Sequence, residues 1–215
     1  MNKQAKTKIL VADDHTLVRE SIIKSLSINM PDVVFGEAEN ATTVMGKVKK
    51  ENWDLLILDL NMPGRNGLDI IKDVKEYRPE IPIIVLSMYP EDQFALRVIK
   101  AGAVGYLTKN TSSAELLKAI KTILKGEQYI TRSIARLLTE GLRYDSGKLQ
   151  HESLSNREFQ VLLLIASGKS ISDIALELSL SVKTISVYRA HILVKMNLKN
   201  NSEITYYAFK HGLVE

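Results

Sequence analysis

Four short apolar runs in this chain each finish on polar side chains: Lys8–Asp14 (KILVADD), Asp54–Asp59 (DLLILD), Ile83–Ser87 (IIVLS) and Gly105–Lys109 (GYLTK). Short runs of Ile, Leu, Val and Tyr read as strands buried on both faces, the mark of a parallel sheet covered by helices. In an open sheet of that kind the carboxyl ends of the strands face a common crevice. Asp13, Asp14, Asp59, Ser87 and Lys109 are therefore expected to meet there, although they are far apart in the chain.

Between and after these runs, helical patterns cover roughly His15–Ile28, Ala41–Glu51, Gly67–Tyr77, Glu91–Ala101 and Ser113–Lys125, separated by Gly and Pro punctuation. The alternation predicts an α/β doubly wound, five-stranded parallel sheet with strand order 2-1-3-4-5. Past Gly126 the character changes. Ile130–Leu142 reads as a helix, residues 143–153 (RYDSGKLQHES) as an exposed linker, and only helical patterns follow Leu154. The expected organisation is a first domain over residues 1–128, a linker helix and flexible linker over 129–152, and a small all-α helix-turn-helix domain over 153–215.

Three carboxylates crowded at one crevice are electrostatically costly without a cation, so Mg²⁺ is expected at Asp13, Asp14 and Asp59. With the metal screening repulsion, the Asp59 carboxylate suits in-line attack on a phosphoryl group to give an acyl phosphate. Lys109 suits a phosphoryl oxygen as a compact point charge, and the Ser87 hydroxyl can donate to another. Haloacid-dehalogenase-type phosphatases also use a strand-end aspartate, but place an acidic partner two residues later. Asn61 stands there in this chain, and an amide cannot serve as general acid. A regulator carrying a phosphoryl-aspartate is expected, not a turnover enzyme. Ser167-Gly168-Lys169-Ser170 imitates the end of a phosphate-binding loop, but Leu163 replaces its first glycine and no strand precedes it.

Asp13-Asp14, Asp59, Asn61-Met62-Pro63-Gly64, Ser87, Tyr106 and Lys109 resemble the receiver domain of two-component response regulators in order and spacing, over about residues 6–128. The resemblance implies that Asp59 takes its phosphoryl group from a histidine kinase. It implies that Asp13 and Asp14, with the main-chain carbonyl of Asn61, hold the metal. It also implies that Ser87 and Tyr106 form a switch responding to the phosphate. Asn110 stands where many receivers have proline, and His15 precedes Thr16 where close relatives have proline. His15 is read as helix-entry structure rather than as a catalytic base.

In the C-terminal part, Ser155-Asn156-Arg157-Glu158 reads as a capping box opening an apolar helix that Gly168 ends. Ser170 opens a short helix to about Leu178, and Ser181 opens a longer one to about Met196 after a tight turn. Two helices so joined form a helix-turn-helix, whose second member fits the DNA major groove. Ile185, Ile192 and Met196, with Tyr188 or Arg189, follow a buried stripe. Lys183, Thr184, Ser186, Val187 and Ala190 are then candidates to face a groove, and Lys183, Arg189 and Lys195 to grip phosphates. Between Ser179 and His211 five basic residues stand against one acidic residue, Glu203. That surplus suits a nucleic-acid backbone, although a solvated basic helix face has the same composition.

Leu154-Ser155-Asn156-Arg157-Glu158, Ile165-Ala166-Ser167-Gly168, Ile174-Ala175, Ser181, Thr184-Ile185 and Lys195-Met196-Asn197-Leu198 resemble the LuxR-type DNA-binding domain. Together the two resemblances identify the NarL/FixJ class of response regulators. They imply promoter DNA as a partner and a homodimer on phosphorylation, with Ser202–His211 as the candidate dimer face. Ser186, Tyr188 and Asn201 stand where many relatives carry Lys, His and Arg, so base readout is expected to rely less on charge and more on DNA shape. The competing reading is a phosphorylation-controlled interaction protein whose helical domain binds another protein. Cysteine is absent, the polar start lacks a signal-peptide pattern, and no run is long enough to span a bilayer. A cytoplasmic location without membrane association is the expectation.

Overall fold

The structure, a computed structural model, describes residues 6–62, 65–143 and 149–214. Pro63 and Gly64 of the expected loop motif, and residues 144–148 of the expected linker, lie outside the described residues. The chain divides into two compact units, residues 1–138 and 139–215.

In the first unit strands and helices alternate: β1 (Lys8–Ala12), α1 (Thr16–Asn29), β2 (Val34–Ala38), α2 (Ala41–Lys50), β3 (Leu55–Asp59), α3 (Gly67–Tyr77), β4 (Ile83–Ser87), α4 (Glu91–Lys100), β5 (Gly105–Thr108) and α5 (Ser113–Ile123). All strand pairs are parallel and the order is β2-β1-β3-β4-β5, as expected. The central strands β3 and β4 are buried at every residue, because helices cover both faces. Alternate residues divide between two cores. Ile9, Val11, Leu55, Ile57, Ile84 and Leu86 pack with Leu26, Leu116, Ala119 and Ile120 of α1 and α5. The strand residues between them, among them Leu10, Leu56, Leu58 and Val85, are likewise buried, as are Val44, Ile70, Val74 and Phe94 of α2, α3 and α4.

Caps fix where the helices begin. Asn40, Asn66 and Ser112 each accept a backbone N–H from the first turn of α2, α3 and α5. The edge strand β2 reads less clearly as a strand, since Val34 and Glu37 are exposed. Gly36 on that strand is required by its neighbour: a Cβ there would lie 2.2 Å from the Trp53 ring. The unit continues past Gly126, where Tyr129 bridges to Gly105 and joins the core. Next comes α6 (Arg132–Arg143), shifted slightly from the expected span.

The second unit comprises a 3-10 turn (Gln150–Ser153), α7 (Asn156–Ala166), α8 (Ile171–Glu177), α9 (Val182–Lys195) and α10 (Asn201–Lys210). The 3-10 turn falls within the expected linker, and its residues are exposed or, at His151, half-buried. His151 Nδ1 lies 3.0 Å from the Tyr207 hydroxyl of α10, which ties the turn to the helical unit. Helix α7 is buried from Arg157 to Ala166 and forms the core against which the other helices pack. It opens with the expected capping box and closes on Gly168 (φ +83°), with Gly168 and Lys169 donating back to Ile165 and Leu164. The turn from α8 to α9 closes the same way. Ser179 adopts φ +52°, and Leu180 N–H reaches the Ala175 carbonyl. This left-handed turn within three residues sets the entry of α9.

Candidate functional site

Parallel register brings the acidic residues together. Ala12 pairs with Leu58, so Asp13 and Asp59 finish adjacent strands at one level. Ser87 pairs with Thr108, and Lys109 N–H then bonds the Ser87 carbonyl. Asp13 and Asp59 are each only 2% exposed, and Ser87 is fully buried. The Lys109 ammonium lies 2.6 Å from Asp13 Oδ2 and 2.9 Å from Asp59 Oδ2, acting as the counter-cation between two buried carboxylates. Burial pushes the Asp59 carboxyl above its usual range, and Lys109 offsets part of that rise. Burial alone would lower Lys109, but the charges of Asp59 and Asp13 outweigh it and hold its pKa above the ordinary value.

The other oxygen of Asp59 is different. Asp59 Oδ1 is buried and has no hydrogen-bond partner. A buried carboxylate oxygen left in that state is costly, and a divalent cation or a phosphoryl group at the crevice would relieve it. Asp13 and Asp14, with His15, form a group whose ligand atoms all lie within 4.8 Å of one another. Hard oxygen donors in an open crevice fit Mg²⁺.

One group around the acids, Arg19, escaped the sequence reading, and another, His15, was read only as helix-entry structure. Arg19, 7% exposed on α1, donates to the Asp13 carbonyl at 2.7 Å and to Glu37 Oε2 at 3.1 Å, tying the acidic turn to β2. The available signal was a guanidinium on a helix turn that faces the sheet. His15 occupies the N-cap position of α1, but its imidazole makes no cap bond. Nδ1 instead lies 2.9 Å from Asp14 Oδ1 and 3.3 Å from Asp13 Oδ1.

Tyr106 is fully buried, and its hydroxyl donates to the Tyr89 carbonyl at 2.7 Å. Tyr89 N–H in turn donates to Ser87 Oγ at 3.2 Å, which links the ends of β4 and β5 through one short loop. Burial pushes the Tyr106 phenol well above its ordinary pKa, with a contact to Ser87 opposing that rise.

In the second unit Ile185, Ile192 and Met196 are buried, as their spacing requires. Lys183, Ser186, Val187 and Ala190 are exposed, with Thr184 and Arg189 half-buried on the same helix. The Ser186 hydroxyl donates to the Val182 carbonyl one turn back, and Thr184 Oγ1 lies 2.8 Å from Ser181 Oγ at the N-cap. Arg189 Nε donates to Asn201 Oδ1. Lys195 is engaged differently: its ammonium lies 2.7 Å from Glu158 Oε2 at the start of α7.

Comparison with known proteins agrees with this geometry. The model of the response regulator receiver domain matches residues 9–121, and that of the bacterial regulatory proteins, luxR family, matches residues 152–208. The oxygen regulatory protein NreC of Staphylococcus epidermidis is 34% identical, covering 97% of this chain and 99% of its own length. The response regulator GacA of Pseudomonas aeruginosa is 33% identical, covering 97% and 98%. Among solved structures, RcsB of Salmonella typhimurium matches with a TM-score of 0.66 at 30% identity, covering 95% of this chain and 97% of that one. RcsB of Salmonella enterica serovar Typhimurium, bound to the promoter rprA in the presence of the phosphomimetic BeF3⁻, matches with a TM-score of 0.63 at 30% identity, covering 94% and 98%. Among the described residues no helix is long and apolar enough to cross a membrane. With the receiver model over the parallel-sheet unit and the luxR-family model over the helical unit, the chain belongs to the two-component response regulators of the NarL/FixJ class, regulators rather than turnover enzymes.

Proposed function

We propose that this regulator is switched by phosphorylation of Asp59 and that its switched form binds promoter DNA through α9. The observation that carries the reading is the asymmetry of Asp59, with Oδ2 held by Lys109 and Oδ1 buried without a partner. Oδ1 is the oxygen free to attack. In the proposed step an Asp59 carboxylate oxygen forms the new bond to phosphorus while the bond from phosphorus to a nitrogen of the kinase histidine breaks. The departing imidazole keeps the electron pair of that bond. Lys109 keeps its ammonium on the oxygens that gain charge, and the Ser87 hydroxyl is the proposed donor to one of them. Asp13, Asp14, Asp59 and the main-chain carbonyl of Asn61 would hold Mg²⁺, which when bound neutralises the crowded carboxylates and screens the incoming phosphoryl oxygens.

The loop from Ser87 to Tyr89, bonded to Tyr106, is the proposed reporter of phosphate arrival, since Ser87 and Tyr89 share one hydrogen bond. Lys183, Thr184, Ser186, Val187 and Ala190 are the proposed groove-facing residues of α9, with Arg189 and Lys195 supplying charge along it. Tyr206 and Phe209, each 67% exposed on α10, suit an apolar face between two copies on DNA. A cognate histidine kinase as phosphodonor and a cytoplasmic location of this chain complete the reading.

The test is labelling of the full-length protein by a small phosphoramidate donor with Mg²⁺, followed by selection of bound duplexes from a random pool. Asp59→Asn should remove the label. Paired half-sites should be enriched only when Asp59 is phosphorylated or carries a beryllofluoride mimic. Label retained in Asp59→Asn would overturn the phosphoacceptor assignment. Enrichment of no duplex in either state would shift the helical unit to a protein-contact role.

A further inference from the structure

We propose that His15 contributes a nitrogen ligand to the acidic metal site and so gives it a preference for Mn²⁺ over Mg²⁺. The inference rests on the reading of that crevice as a divalent-cation site. It starts from the placement of the His15 side chain. An N-cap position favours Ser, Thr, Asp or Asn, whose short oxygen accepts a first-turn N–H. His15 has that position yet caps nothing, and the first turn of α1 contains no acidic residue. The imidazole turns the other way, onto the Asp13 and Asp14 carboxylates.

That placement is held from two sides. His15 N–H donates to Asp13 Oδ1 at 2.8 Å, which keeps the ring's own backbone against the acid. The Arg19 guanidinium anchors the Asp13 carbonyl from beneath. A ring nitrogen of His15 and one oxygen of each carboxylate lie within 4.8 Å of one another, a spread that one bound ion can bridge. An independent sign of a cation in this crevice is Asp59 Oδ1, buried and without a partner in a residue 2% exposed. The ring is 66% exposed at its side chain, so it can rotate from bonding the carboxylates to binding an ion between them.

A nitrogen arm alters which ion the site prefers. Mg²⁺ takes oxygen donors and retains several waters, so it gains little from an imidazole. First-row transition ions accept imidazole nitrogen alongside carboxylates, with affinities that rise from Mn²⁺ onward. Asp13, Asp14 and Asp59 alone would serve either ion. His15 favours the transition ion, and Mn²⁺ is the member of that series closest to Mg²⁺ in its taste for carboxylate and water.

The experiment uses the full-length protein at a pH above the ordinary imidazole range, with Mg²⁺ and Mn²⁺ titrated separately by calorimetry. Electron spin-echo spectroscopy of bound Mn²⁺ then reads directly coordinated nitrogen. The expected result is nitrogen modulation in the wild type, lost in both His15→Gln and His15→Ala. The ratio of Mn²⁺ to Mg²⁺ affinity should fall several-fold in both variants while Mg²⁺ affinity holds. Bound Mn²⁺ with oxygen ligands only, or nitrogen modulation that survives in the variants, overturns the role of His15 while the cation site stands. Failure of the wild type to bind either ion overturns the cation site as well, and the two failures are thereby distinguished.

Discussion

Lys195, at the end of α9, places its ammonium 2.7 Å from Glu158 Oε2 at the start of α7, thirty-seven residues earlier in the chain. The same carboxylate accepts the Ser155 N–H at 2.8 Å in the capping box and lies 3.3 Å from His191 Nδ1. One nearly buried acid therefore caps a helix and joins the core helix to the proposed recognition helix. Burial alone would raise the Glu158 carboxyl, yet the hydrogen bonds from Lys195 and Ser155 outweigh it and leave its pKa below the ordinary value.

The first prediction follows from that balance. A carboxyl whose folded pKa is depressed adds stability that is fully present above the unfolded value, about 4.3, and is lost as pH falls through the lower folded value. Glu158→Gln keeps a side chain able to cap but removes the charge. In this variant, the fall of the helical unit's unfolding midpoint below about pH 4.3 should be shallower than in the wild type. Ser155→Ala should cost about 1 kcal/mol at neutral pH. Denaturant melts followed by circular dichroism across this range would check both.

Lys109 bridges Asp13 and Asp59, so its loss leaves two buried carboxylates facing each other. Lys109→Ala should still be labelled by a small phosphodonor with Mg²⁺, but the label should no longer raise DNA affinity. Labelling assays paired with DNA titrations of the phosphorylated variant would detect this separation. Equal stimulation in variant and wild type would count against the assigned role.

The fold makes its own demand at β2. Gly36→Ala puts a methyl group against the Trp53 ring, whose Nε1 donates to the Lys47 carbonyl at 3.2 Å. Overpacking of this kind costs about 1–3 kcal/mol. Since the chain has one Trp, the emission maximum should report the displaced indole directly, alongside a lowered denaturation midpoint.

On DNA, Lys183 is exposed near the start of α9 and has no ion pair among those found in the described residues. Lys183→Ala should weaken binding to all sequences about equally and reduce the salt slope of affinity by about 1. Titrations at several salt concentrations on a selected site and on unrelated DNA would show it. Loss restricted to one sequence would instead assign Lys183 to base contact.

Four of the five strand ends were legible because their strands are so uniformly apolar. Leu55-Leu56-Ile57-Leu58 has no plausible place except inside a covered sheet, and Asp59 must then emerge at its tip. The capping residues Ser155, Ser170 and Ser181 were similarly readable, since a cap and its helix are neighbours in sequence. The 3-10 turn at Gln150–Ser153 was not legible. Its polar residues read as linker, and it is packing that brings His151 to Tyr207 and His211 near the end of α10 and to Phe159 of α7.

The amino-acid sequence by itself determined the order of elements, the class of each domain and which acids stand at the strand ends, because periodicity, caps and turn residues act over a few neighbours. Only the tertiary structure decided which groups those acids meet. Arg19 on α1 reaches the Asp13 carbonyl and Glu37 on β2, His15 turns onto Asp13 and Asp14, and Lys195 reaches Glu158 across thirty-seven residues. Each such pairing depends on strand register and helix packing, and a buried charge takes the nearest partner that the packed backbone presents.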